Sequence, residues 1–240
     1  MYLFFHLITG VILGLLLGDL LHDGRWLIPA AIGAILPDLI DKPVGQILLL
    51  GEIGYGRIIF HTLLVFAIVL ILGLVLWRYR RSLVVLALAT GIFSHQILDS
   101  MWNEPADWLY PFFGQPPLWR TFPPGYLMLL VRDNLENPPE WFLGALFFIG
   151  LYLYLKRDRV IPAALGHRKG LQLILEGSGI FLWMISGLVF TYGLLRKILS
   201  HSGRFGLSNF LIYSLVFALA AYLFWRWGSA LGEEQPAKEA

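Results

Sequence analysis

The chain contains no cysteine, which excludes a disulfide framework and any thiolate metal site and leaves the redox compartment open. Charge is scarce as well: Asp, Glu, Lys and Arg make up 14% of 240 residues, where soluble domains carry about 25%. The balance is only +2, so there is no basic field of the kind nucleic acid needs. No basic n-region and no small-residue cleavage site accompany the first apolar stretch, which therefore reads as a retained helix rather than a signal peptide. Internal repeats and low-complexity tracts are also missing. What fills the sequence is apolar: 58% of residues belong to that set and the mean hydropathy is +0.69. An ordinary soluble protein is excluded.

Six apolar runs are candidate membrane spans: Leu3 to Leu20, Ile58 to Trp77, Leu83 to Leu98, Trp141 to Leu155, Ile174 to Leu195 and Leu207 to Trp225. Ile58 to Trp77 holds one ionisable residue, His61. A seventh run, Trp26 to Ile40, carries Pro29 and Pro37; these remove two backbone donors, so it is expected to be kinked or re-entrant. The expected fold is all-α, a polytopic transmembrane helical bundle of about six full spans plus this kinked short one. Within a single membrane domain, residues 1–100 are the helices bearing the polar residues, 101–140 an interfacial cap, 141–227 accessory helices and 228–240 a polar tail.

Basic residues in short loops are held on the cytoplasmic side. Arg78, Arg80 and Arg81 mark one such loop, and Lys156, Arg157, Arg159, Arg168 and Lys169 a second. Two crossings separate them, the even number that this orientation requires. Arg196, Lys197 and Arg204 fall in what becomes an outer loop and oppose it. Between the two basic loops, Met101 to Glu140 holds eight of the thirteen prolines together with Trp102, Trp108, Tyr110, Phe112, Phe113, Trp119, Phe122 and Tyr126. No regular helix can run through it. Trp and Tyr favour the headgroup level, so it reads as a folded cap at the outer interface; a proline-rich loop packing its rings on helix ends is the equal alternative on composition.

Ionisable groups within spans are expensive and mark functional interiors. His6 lies near the start of the first span, Asp38 and Asp41 follow Pro37 at the end of the kinked one, His61 is one turn into the next, and His95 and Asp99 close the one after. Since successive spans alternate in direction, all six belong to one membrane level, expected to be the non-cytoplasmic one. His95 and Asp99 are four apart and Asp38 and Asp41 three apart, so each pair would share a helix face at about 5 to 6 Å. Imidazole and carboxylate without thiolate suit a divalent cation such as zinc, manganese or iron, whose charge offsets the desolvation of the carboxylates.

Each residue also has a plainer role open to it. His6 could be an interfacial histidine, Asp38 a helix cap, Asp41 a turn residue, and His95 with Asp99 a chance pair; four elements meeting at one level is what favours a metal. His22 and Asp23 lie at the opposite face, and His167 and His201 fall in polar loops. Arg57, about one turn before His61, is placed to recognise phosphate oxygens, or merely to snorkel. Ser94 and Thr62 adjoin the candidate ligands but suit helix contacts equally.

The segments LPDLIDKP (Leu36 to Pro43), GRIIFHTLL (Gly56 to Leu64) and SHQILDSMW (Ser94 to Trp102), followed by LYPFFG (Leu109 to Gly114) and preceded by a lone N-terminal histidine, resemble the YdjM-like membrane-bound metal-dependent hydrolases. The likeness covers about the first half of the chain. In the middle motif Arg57 and His61 match, and the family's first histidine is absent. The same order of residues is more distantly similar to the zinc-dependent phospholipase C and single-strand nuclease group, although no second HxxxD is present. These resemblances imply hydrolysis of a phosphoester. The expected activity is that of an integral-membrane metal-dependent hydrolase acting on a lipid or lipid-linked phosphoester. His6, Asp38, Asp41, His61, His95 and Asp99 would hold one or two ions, zinc before manganese, Asp38 or Asp41 would be the general base, and Arg57 would hold the phosphate. The rival expectation is a metal or proton transport protein using the same cluster, against which stand the position of the residues near span ends and the absence of a repeat.

Overall fold

The computed structural model describes residues 3–49, 56–113, 128, 132, 136–155, 168–199 and 207–233. Every regular element among them is helical, and the chain divides into two compact units, Met1–Phe147 and Phe148–Ala240. Helix α1 spans Leu3–Leu20 and α2 spans Leu27–Pro43, continued by a π-helical turn over Val44–Leu48. Helix α3 follows at Leu63–Arg80, α4 at Val84–Leu98, the single turn α5 at Pro105–Trp108, α6 at Pro138–Leu155, α7 at Arg168–Leu199 and α8 at Leu207–Glu233.

Among the described residues, four helices are long and apolar enough to cross a membrane: Leu3–Leu20, Leu63–Arg80, and the stretches Gly170–Leu195 of α7 and Ser208–Leu231 of α8. Two further apolar helices, Val84–Leu98 and Glu140–Ile149 within α6, are shorter. The kinked segment does not stop at Ile40. It stays helical to Pro43 with Pro37 inside, so Asp38 and Asp41 project from a helix rather than from a turn. The run from Ile58, by contrast, is not helical at its start. Helix α3 begins only at Leu63, with Thr62 as N-cap accepting from the Val65 N–H. Of the proline-rich segment, 114–127 and 129–131 and 133–135 lie outside the described residues, Trp119, Phe122 and Tyr126 among them; its described beginning is a 3₁₀ turn, Met101–Asn103, and α5.

In the first unit the core is built from backbone proximity. A Cβ on Gly33 would stand 2.1 Å from the Leu88 carbonyl oxygen, and one on Gly91 would stand 2.2 Å from that of Ala30. On the other side of α2, a Cβ on Gly10 would meet Ala34 at 2.6 Å. Small residues thus let α1, α2 and α4 approach at backbone distance, the means by which helices associate where lipid removes the hydrophobic driving force. Ala30, Ala34, Ala87, Ala89 and Ile92 are fully buried there. Helix α3 buries Gly73 against Leu86 of α4 and exposes Ile68, Ile71, Leu72, Val75 and Trp77, a surface suited to acyl chains. At the far end of α1 and α2, Arg25 holds the Asp23 carboxyl below the usual carboxylate range through a direct hydrogen bond. In the second unit α7 and α8 pack together, with Ser186 donating to the Ser214 carbonyl at 2.8 Å and Ser214 returning the bond at 2.9 Å.

Candidate metal centre

Asp41 organises the segment that precedes α3. Its carboxylate accepts from the backbone N–H groups of Ile58 at 3.0 Å, Ile59 at 3.2 Å, Phe60 at 3.1 Å and His61 at 3.2 Å. These are donors that a helix beginning at Ile58 would leave unpaired in its first turn. The turn closes around the carboxylate instead, and the helix starts five residues late, at Leu63. Asp41 also accepts from His61 Nδ1 at 2.8 Å, which turns the opposite nitrogen of that imidazole, Nε2, inward.

His95 is set in the same manner by a different partner. Its Nδ1 donates to the Ala34 carbonyl across the α2–α4 contact at 2.7 Å. A carbonyl can only accept, so the proton is on Nδ1 and the Nε2 lone pair points inward. The two inward nitrogens, His61 Nε2 and His95 Nε2, face each other at 3.1 Å. Asp38 Oδ1 lies 3.4 Å from the first and 3.7 Å from the second, while Asp99 Oδ2 lies 3.9 and 4.0 Å away. Ligands around a tetrahedral zinc at the usual bond lengths stand about 3.3 Å apart.

Two imidazole nitrogens this close in a dry interior need a proton or a metal ion between them. His61, His95 and Asp38 are each no more than 3% exposed, and Asp38 Oδ1 accepts no hydrogen bond. An orphaned buried carboxylate oxygen beside two converging imidazole nitrogens fits a divalent ion. One ligand atom each from Asp38, His61 and His95 lie within 4.8 Å of one another, as do those of His6, His95 and Asp99. These buried groups could hold a metal ion; the donor set alone does not choose which.

The remaining partners surround this core. His6 Nε2 donates to Asp99 Oδ1 at 3.0 Å, and the His6 and His95 rings meet edge to face at 4.2 Å. Arg57 Nη2 donates to Asp99 Oδ2 at 3.0 Å. Lys42, one turn after Asp38, pairs with Asp38 Oδ2. All seven site residues expected from sequence are therefore brought together, with Asp41 standing behind His61 instead of among the ion-facing atoms. Arg57 and His61 reach the site from an irregular turn rather than from one helix face. Ser94 bonds the Gly91 carbonyl of its own helix and Thr62 caps α3, so neither faces the centre.

Within this architecture the match to known sequences becomes informative. A family model described as YdjM inner membrane protein matches residues 1–160. The chain belongs to this family. The matched region contains every residue of the centre, from His6 to Asp99, and the YdjM assignment makes the chain a membrane protein. No curated protein and no solved structure matches it.

Sequence reasoning overlooks three members of this YdjM site. Lys42 has a signal, its i+4 spacing from Asp38. Gln96 has a weaker one, its place beside His95: it is fully buried, donates to the Thr62 carbonyl at 3.0 Å and accepts from Trp108 Nε1 at 3.0 Å, tying α4 to the cap of α3 and to α5. The Ala34 carbonyl has none, because any residue supplies one.

Proposed function

We propose that this protein is an integral-membrane metal-dependent hydrolase of a phosphoester in a lipid or lipid-linked substrate. The observation that carries the reading is the pair of imidazole nitrogens converging at 3.1 Å beside Asp38 Oδ1, which has no hydrogen-bond partner. In this reading Asp38, His61 and His95 would hold one zinc or manganese ion, with Asp99 beside them. A catalytic ion with three protein ligands and an open position lowers the pKa of water and polarises a phosphoryl oxygen.

The chain's own groups then have distinct tasks. Asp41 fixes the His61 tautomer and ring orientation, and the Ala34 carbonyl does so for His95. His6 holds Asp99 through Oδ1; Oδ2, which accepts from Arg57, would take the proton of an attacking water as Arg57 turns to the phosphate, while the new P–O bond forms and the ester P–O bond breaks. Arg57, already on Asp99 Oδ2, is within reach of the same phosphoryl oxygens. The helices Val84–Leu98 and Trp141–Leu155 would bring the crossings to about six, with the kinked α2 as a further short one, and the centre would open on the non-cytoplasmic face. The test is elemental analysis of detergent-purified protein: near-stoichiometric zinc or manganese is expected, lost in His95→Ala. A protein that stays metal-free after reconstitution with either ion would remove the reading.

A further inference from the structure

Exposure within the centre is uneven. The side chains of His61, His95 and Asp38 are at most 2% exposed, whereas Lys42 and Asp99 are 19% exposed and Arg57 30%. The accessible edge is thus lined by two cations flanking a carboxylate. Lys42 bonds the outward oxygen of Asp38 and Arg57 bonds Asp99 Oδ2, so each cation stands beside a carboxylate that borders the ion-facing space. The turn carrying Arg57 rests on the Lys42 stem, since a Cβ on Gly56 would lie 3.0 Å from Lys42 Cγ. Glycine here is what lets that turn sit down and bring guanidinium and ammonium to the same side.

Charge decides what this edge receives. Asp38, Asp41 and Asp99 against Lys42 and Arg57 leave one net negative charge with neutral imidazoles; a single divalent ion turns this into one net positive charge. An uncompensated charge in so dry a setting is costly, and one monoanion cancels it. A dianion would overshoot by the same amount.

We infer that Lys42 and Arg57 form a two-pronged oxyanion clamp at the open edge of the metal centre, built for the monoanionic phosphate of a phosphodiester rather than for the dianion of a phosphomonoester. This rests on the metal-centre reading above. Lys42 supplies a point charge that follows the ligand, and Arg57 supplies a planar fork that fixes its orientation. Each cation meets only the Oδ2 of its carboxylate, Lys42 that of Asp38 and Arg57 that of Asp99, and neither can itself ligate a cation, so measuring the bound ion in each variant separates the clamp from coordination.

Zinc-loaded protein in detergent, with zinc content measured for each variant, should be titrated calorimetrically with dimethyl phosphate and with methyl phosphate at pH 8. Dimethyl phosphate should bind at least about tenfold more tightly, Lys42→Met should weaken it about tenfold while zinc remains, and Lys42→Arg should recover most of the loss. Tighter binding of the dianion, or an unchanged dissociation constant in Lys42→Met, would overturn the clamp. Loss of zinc in both Lys42 variants would also overturn it, by making Lys42 part of the coordination framework. Turnover of bis(4-nitrophenyl) phosphate by the same samples distinguishes the two ideas. Binding of dimethyl phosphate without turnover leaves the clamp standing and removes the hydrolase, whereas turnover indifferent to Lys42 does the opposite.

Discussion

At the scale of single residues, the centre separates groups that face the ion from groups that hold those groups in place. Asp41 is occupied chiefly by holding its neighbours: four donors converge on Oδ2 and one on Oδ1. Replacing it by Asn should weaken zinc binding about 10- to 100-fold, the usual effect of losing the partner behind a ligating histidine, whereas Asp38→Asn should abolish stoichiometric binding. Chelator competition titrations would rank the two, and equal losses would put Asp41 among the ligands. Asp99→Asn should keep the ion and lose about 10²- to 10⁴-fold in turnover, the range of a general base; loss of the ion in that variant would move Asp99 from base to ligand. Spacing in the sequence is enough to propose Asp38, His61, His95 and Asp99, because imidazole and carboxylate are rare in apolar runs. It cannot distinguish Asp41 from Asp38, since what occupies Asp41 is backbone N–H, which every residue but proline carries.

At the scale of elements, a helix boundary and a helix contact both bear on the chemistry. Apolar composition places the start of the third span at Ile58, yet α3 begins at Leu63 because Asp41 on another helix takes the N–H groups that would open it. Hydropathy reads side chains and is blind to such a competition. The α2–α4 contact is similar: its glycines are visible in the sequence, but their register against the Leu88 and Ala30 carbonyls is a tertiary fact. That register places the Ala34 carbonyl 2.7 Å from His95 Nδ1. Gly33→Ala must push the helices apart, because its Cβ would meet backbone rather than a movable side chain. A loss of about 1 to 3 kcal/mol in stability is expected, together with weaker metal binding as the bond to His95 lengthens. Gly24→Ala, where an added Cβ meets nothing within 4 Å, is the control. Thermal unfolding in detergent, followed alongside zinc content, checks both; an unaltered Gly33→Ala protein would show that the contact is not needed.

At the scale of the whole molecule, the centre is assembled from the start of α1, the end of α2, the turn before α3 and the end of α4. Alternating span direction makes this convergence readable from the sequence, because ends of odd and even crossings fall at opposite levels. Which level faces the cytoplasm rests on a different signal. Arg78 and Arg80 in the last turn of α3 and Arg81 just after it are charges of the kind retained inside, and by that rule the end of α4, with His95 and Asp99, is expected on the non-cytoplasmic face. The native chain has no cysteine, so single thiols can be introduced without background. Ser82→Cys, in the link from α3 to α4, and Asn103→Cys, exposed just beyond the end of α4, sample the two levels. In intact cells a membrane-impermeant maleimide should modify Asn103→Cys and spare Ser82→Cys, with both reacting once the membrane is permeabilised. The inverse pattern would place the centre in the cytoplasm, where soluble phosphorylated molecules would replace an outer-leaflet lipid as the class of substrate able to reach the edge formed by Lys42 and Arg57.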